Sequence, residues 1–213
     1  DDYLMRLIRD FMVALLSARR AVAQGKHDTA IRNVDGLSVK YLGFDLVALA
    51  SQPLVSITVG RKPFEVAIAA DLLLEYAAIE RAQQRDASHL QHRSLRLYGH
   101  ALDQDDMLLR YPERVERLKW LLDVSADGDN LEIHGVRFSL YERLGEFANA
   151  EDILFTLVDA GWPQSVVVGK SFYERLATFD DEVLAAGGMP RDEVEQGLAD
   201  LLGLDANGSG DLL

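Results

Sequence analysis

The sequence predicts an all-α fold of antiparallel helical hairpins stacked as an irregular array. Three observations carry this reading. Apolar residues recur at steps of three and four along most of the chain, which places them on single faces of helices. Glycine and proline fall between the periodic stretches, where helices end and begin. Alternation of apolar and polar residues is nearly absent, and only Val166-Val167-Val168 and Leu131-Glu132-Ile133 suggest extended chain.

Leu4, Leu7, Ile8, Phe11, Leu15 and Val22 form the stripe of a long first helix, and Gly25 ends it. Asp28 caps a second helix with Ala30, Ile31, Val34, Leu37 and Tyr41 inward, closed by Gly43. Asp45 to Ala50 predicts a short helix, and Pro53 the start of another. Pro63 opens a strong helix with Phe64, Ala67, Ile68, Leu72, Tyr76 and Ile79 on its face. Asp86 begins its partner, which carries Leu90, Leu97, Tyr98, Ala101 and Leu102 to the acidic turn at Asp103 to Asp106. Pro112 starts the next, with Val115, Leu118, Leu121 and Leu122.

The stretch DGDNLEIHG, Asp127 to Gly135, reads as a loop or a brief strand, and the helical period returns from Val136 to Gly145. Ala150 to Val158 is a helix ending at Gly161. Pro163 to Phe179 reads as another, weakened by the three valines and Gly169. Asp180 or Asp181 caps a short helix, and Pro190 begins the last, with Val194, Leu198 and Leu201 inward. One helical domain is expected over residues 1–205, with 206–213 as a flexible tail.

One spacing occurs twice. Gly25-His27-Ala30-Val34-Leu37 and Gly145-Phe147-Ala150-Leu154-Leu157 share glycine, ring, alanine, aliphatic and leucine at equal offsets. A small residue early in the second helix of a hairpin lets the first helix approach closely, and the two aliphatics that follow lie on the same face. Glycine makes the turn, and the ring plugs the end of the hairpin. Ser94-Tyr98-Ala101-Leu102 is a partial third match without the glycine.

With Tyr141 four positions before Gly145, and Ala18 at a small position of the first helix, this pattern resembles tetratricopeptide-like helical repeats. The resemblance covers three hairpins at irregular spacing, and it implies a groove that holds a protein or peptide segment. DYLMRLIRDF at the start, with FYERL, DDEVLAAGG and EVEQGL late in the chain, is also similar to a family of small uncharacterised bacterial helical proteins. That likeness implies a helical fold and no activity.

Composition narrows the function classes. A formal charge of −13 argues against broad binding to nucleic acid or anionic membrane, which needs a positive footprint. The chain has no cysteine, so disulfides, thiolate nucleophiles and Cys-ligated zinc are excluded. No apolar run reaches the length of a membrane helix, and Phe11 to Ala18 is amphipathic rather than a leader. A cytoplasmic protein is expected.

The segment from Arg81 to His100 stands out against this acidity. Arg81, Arg85, His89, His92, Arg93 and Arg96 could line a basic strip for an acidic peptide or a phosphorylated ligand. The same charges could instead pair with residues 151–213, which carry thirteen acidic and three basic side chains, or form a solvated helix face.

Other constellations are incomplete. His89 and His92 are one turn apart, without a third metal ligand or an intervening base. Asp123-Ser125-Asp127-Gly128 begins like a calcium loop but has His134 at its twelfth position. Asp205-Asn207-Ser209-Gly210 begins likewise without reaching that ligand. Nucleophile-elbow, P-loop and dinucleotide-binding signatures are missing. The expectation is a non-enzymatic protein- or peptide-binding adaptor without a cofactor. The second reading is a homodimer joined through Leu4, Leu7, Phe11 and Leu15 of the first helix, and a metal-binding protein or an enzyme comes third.

Overall fold

The computed structural model describes residues 2–125 and 130–208, with side chains described for all of these except 2–9, 107 and 204–208. Among the described residues it has twelve α-helices, one short 3-10 helix and no strand, so the fold is all-α. No helix among them is long and apolar enough to cross a membrane. The chain divides into two compact units, Asp1–Gly128 and Asp129–Leu213.

The first unit contains α1 (Asp2–Ala23), α2 (His27–Leu42), α3 (Leu46–Ser51), α4 (Leu54–Thr58), α5 (Pro63–Ala82) and α6 (Ser88–Gln104). A 3-10 helix (Asp106–Arg110) and α7 (Pro112–Val124) complete it. Helix α5 is central and packs against α1, α2, α3, α4 and α6. Its sequence explains why: an unbroken buried run from Val66 to Glu75 presents no outward polar face. A helix apolar nearly all round must be surrounded.

Helix α1 folds back on α2, with Ala18 and Ala30 at 1% and 0% exposure. Phe11 meets Tyr41 edge-on with ring centroids 5.3 Å apart. The short helix expected from Asp45 to Ala50 is α3, with Asp45 as its cap, accepting the Ala48 amide at 2.7 Å. Phe11 and Leu15, expected to be surplus apolar surface for self-association, are both fully buried within this unit. Among the described side chains of α1 the exposed large apolar residues are Val13 and Leu16, and Leu4 and Leu7 of the expected self-association stripe lie outside the described side chains.

The second unit contains α8 (Leu131–Arg143), α9 (Phe147–Asp159), α10 (Ser165–Leu176), α11 (Asp181–Ala186) and α12 (Arg191–Gly208). Helix α9 packs on α8 with Ala150, Leu154 and Leu157 fully buried. The stretch read as a loop or strand before Val136 is helical from Leu131. Asn130 caps it, its side-chain oxygen accepting the amides of Glu132 at 3.1 Å and Ile133 at 3.2 Å. A cap that satisfies two orphan amides outweighs a three-residue alternation.

The valine run lies inside α10, and Gly169 beside it is a packing residue rather than a weak point. A Cβ there would stand 2.6 Å from a Leu201 methyl and 3.0 Å from a Leu154 methyl. Helix α12 continues through Ala206 to Gly208, since no proline interrupts its propagation. Residues 209–213 of the expected tail lie outside the described residues.

The repeated spacing produces a repeated turn. Gly25 has φ 69° and Gly145 φ 72°. The following residues, Lys26 at φ −90°, ψ 62° and Glu146 at φ −88°, ψ 65°, match as closely. Lys26 donates its amide to the Ala21 carbonyl at 2.9 Å, and Glu146 to Tyr141 at 3.0 Å. Both are Schellman closures, in which a left-handed residue lets two amides reach back to the last carbonyls.

Candidate functional site

Asp71 and Glu75 lie one turn apart on α5, at 0% and 6% exposure. Charges this deep require partners. Helix α7 supplies them: Arg114 Nη2 lies 3.3 Å from Asp71 Oδ2, and Arg117 Nε lies 3.2 Å from Asp71 Oδ1. Arg117 also reaches Glu75 Oε1 with Nη2 at 2.8 Å. From α1, Arg19 places Nη2 at 2.5 Å and Nε at 2.9 Å from the same oxygen. From α6, the Tyr98 hydroxyl donates to Asp71 Oδ1.

The electrostatics follow the geometry. Burial works against the Arg117 charge, but Asp71, Tyr98 and Glu75 outweigh it and hold the guanidinium above its usual range. Burial, with Asp71 adding to it, pushes the Tyr98 phenol far up, so Tyr98 stays a donor at any physiological pH. Arg114 stacks its cation over the Phe64 ring at 5.8 Å. Its Nε and Nη1 are buried without an acceptor, as is Nη1 of Arg117. The network thus ties α5, α6 and α7 together through buried groups, and the exposed Arg19 adds α1 from the solvent side.

Beside this network a groove of about 430 Å³ opens between α1, α5 and α7. Val22, Leu74, Ala78 and Trp120 give it apolar walls, while Arg19, Glu75, Glu116 and Arg117 form its polar edge. Trp120 is 43% exposed, unusual for so large an aromatic.

The basic segment does not form one strip. Arg81, Arg85 and His92 line a second, polar cavity of about 260 Å³, together with Asp86, Ser88, Gln91 and Ser125. Arg85 is bound to Glu80, with Nε at 2.5 Å and Nη2 at 2.8 Å from its carboxylate. Arg93 turns elsewhere and donates to the carbonyls of Leu49, at 2.9 Å, and Gln52, fastening the end of α3. His89 is exposed, and Arg96 is half-buried. Arg81, Arg85 and His92 are therefore brought together, whereas Arg93, His89 and Arg96 are not part of that cavity.

No group of three or more His, Asp or Glu residues is arranged to hold a metal ion among the described residues. The calcium-like stretch Asp123 to His134 lies partly outside them, as does Asp205 to Gly210. Sequence reasoning missed Asp71, Glu75, Arg114 and Arg117 altogether. The signal was available: DLLLE places two acids within a long, strongly apolar helix, and ERVER puts two arginines one turn apart.

No curated protein and no solved structure matches the chain. A family match extends over residues 1–205, and by it the chain belongs to a family of unknown function, DUF6483.

Proposed function

We propose that the protein is a non-enzymatic binding module whose α1–α5–α7 groove takes an apolar side chain from a partner peptide or protein helix. The observation that carries this reading is the half-exposed Trp120 forming a wall of an apolar groove whose other walls are Val22, Leu74 and Ala78. Aromatic walls around a preformed pocket characterise binding hot spots. The neighbouring Glu75, Arg117 and Arg19 are engaged with one another, which suits a scaffold better than acid–base chemistry. Glu116 stands exposed at the rim and favours a Lys or Arg beside the partner's apolar anchor. The formal charge of −13 steers such a basic segment inward. An acidic partner, expected from the basic segment, does not suit this groove.

The matched turns at Gly25 and Gly145, each followed by a buried alanine, support a tetratricopeptide-like origin for the α1–α2 and α8–α9 hairpins. The absence of cysteine fits a reducing, cytoplasmic setting. Self-association through α1 is the weaker reading, because Phe11 and Leu15 are enclosed by their own unit.

Selection from a displayed library of helical peptides tests the proposal. Wild type should enrich peptides carrying a large apolar residue with Lys or Arg one turn away. An Ala78→Trp variant, which fills the groove, should retain none of them. Enrichment unchanged by Ala78→Trp, or no enrichment by wild type, would contradict the reading.

A further inference from the structure

The polar cavity at the end of α5 has features that the groove reading does not use. Gln91, on α6, is 5% exposed, yet its Nε2 has no hydrogen-bond partner. Ser125, at the end of α7, is 4% exposed, and its Oγ likewise has none. Both residues line the same cavity. Leaving a buried donor unmet is costly, so two such groups facing one space point to an absent acceptor.

The charges around them indicate its sign. Arg81 lines the cavity from the last turn of α5, and its side chain has no ion pair or hydrogen bond among the described residues. Arg85 lines it too, and its bonds to Glu80 use Nε and Nη2, leaving Nη1 free to donate. His92 adds a further imidazole to the wall. The one acidic residue in the lining, Asp86, is turned onto Ser88, accepting its amide at 2.9 Å and its hydroxyl at 2.6 Å. Those bonds hold the Asp86 carboxyl below its usual range, so it stays a capping acceptor. With Arg85 paired to Glu80 and Asp86 engaged by Ser88, Arg81 is the guanidinium in the lining left without a counter-charge.

We propose that this cavity is a binding site for a phosphate group, free or carried as a small phosphate ester. Arg81 supplies the main counter-charge, and Gln91 Nε2 and Ser125 Oγ donate to the phosphate oxygens. Donors arriving from α5, α6 and the end of α7 suit a tetrahedral oxyanion better than a planar carboxylate. At about 260 Å³ the cavity is larger than a bare phosphate needs and smaller than most cofactor sites. That size favours a small organic carrier. The inference is independent of the groove, which shares no lining residue with this cavity.

The test is thermal unfolding and calorimetric titration of the full chain with inorganic phosphate, glycerol phosphate and acetate at matched ionic strength. Phosphate or its ester should raise Tm in proportion to the logarithm of its concentration, and acetate should not. A tighter response to glycerol phosphate identifies a carried phosphate, and an equal response identifies the free ion. Arg81→Gln should weaken binding about tenfold or more, as loss of a charge-assisted contact does. Gln91→Leu removes an unmet donor, so it should keep or raise the ligand-free Tm while weakening the phosphate response. Equal stabilisation by acetate, no response in wild type, or a full response in both variants would overturn the proposal.

Discussion

The Tyr98 hydroxyl donates to the Asp71 carboxylate at a point where neither residue touches water, Tyr98 being 2% and Asp71 0% exposed. The same carboxylate faces Arg114 and Arg117, so one acidic group on α5 joins α6 to α7. Removing Asp71 leaves two buried guanidinium groups short of their counter-charge. Asp71→Ala should therefore destabilise the fold by about 3–5 kcal/mol. Tyr98→Phe removes one bond to a charged acceptor and should cost about 1.5–3 kcal/mol. Urea unfolding measures both, and an Asp71→Ala variant as stable as wild type would show that the network contributes nothing.

The Schellman turn occurs with a non-glycine residue at Gln84, φ 60°, where Arg85 donates to the Glu80 carbonyl at 3.0 Å. A side chain in the left-handed region is strained by about 1–2 kcal/mol, which glycine avoids. Gln84→Gly should be neutral or stabilising by up to about 1 kcal/mol, whereas Gly145→Ala should cost about 1 kcal/mol. Midpoints of chemical denaturation for the two variants should shift in opposite directions or, at the least, differ in that order.

Gly187 is a matter of space rather than backbone. A Cβ there would stand 2.6 Å from the Gly145 carbonyl oxygen and 2.2 Å from Phe147 Cδ2. The Gly187 carbonyl also accepts the Ala148 amide at 3.1 Å, locking the end of α11 onto the α8–α9 turn. Gly187→Ala should destabilise by about 1–3 kcal/mol. Gly36, in mid-α2 with nothing within 4 Å of its Cβ direction, is the control. Gly36→Ala should stabilise by about 0.5–1 kcal/mol.

Glu151 gives the second unit a pH dependence. Burial raises its carboxyl above the usual range, against the pull of the Tyr173 hydroxyl that donates to it at 2.5 Å, while Asp152, Glu193 and Asp200 add to the rise. The folded state therefore binds this proton more readily than the unfolded chain. The stability it contributes is fully present below about pH 4 and is lost as pH rises through the folded pKa. Glutamine at 151 can still accept from Tyr173 and does not titrate. Glu151→Gln should gain stability relative to wild type between about pH 4 and pH 7. Unfolding curves at both values decide, and a difference that stays constant or moves the other way contradicts the assignment.

The parts of the fold that depend on nearby residues were legible in the sequence. Gly25, Gly145, Ala30 and Ala150 act through a turn and the helix after it, and their spacing expresses that locally. The short helix that begins at Asp45 is local in the same way. Asn130 was misread because an Asp-, Asn- and Gly-rich stretch serves equally well as a turn or as a helix cap. Asp71 and Glu75 are absent from the inward face that periodicity gives α5, since a charge on a helix ordinarily faces water. What places them inside is Arg114 and Arg117, some 40 positions on and carried by a different helix. The basic segment failed as a strip for a related reason. Linear proximity grouped Arg93 with Arg81, whereas the helix turns Arg93 toward the carbonyls of Leu49 and Gln52.

The groove reading is tested most directly by the two tryptophan indole signals in a ¹⁵N–¹H spectrum, titrated with a synthetic amphipathic helix bearing leucines on one face and lysines beside them. Trp120 lines the groove, and Trp162 packs over Gly135 in the other unit, so each reports a different place. The account predicts a saturable shift of the Trp120 indole, lost in Ala78→Trp, while Trp162 stays still. A Trp120 signal that does not move, or a shift that survives Ala78→Trp, contradicts it.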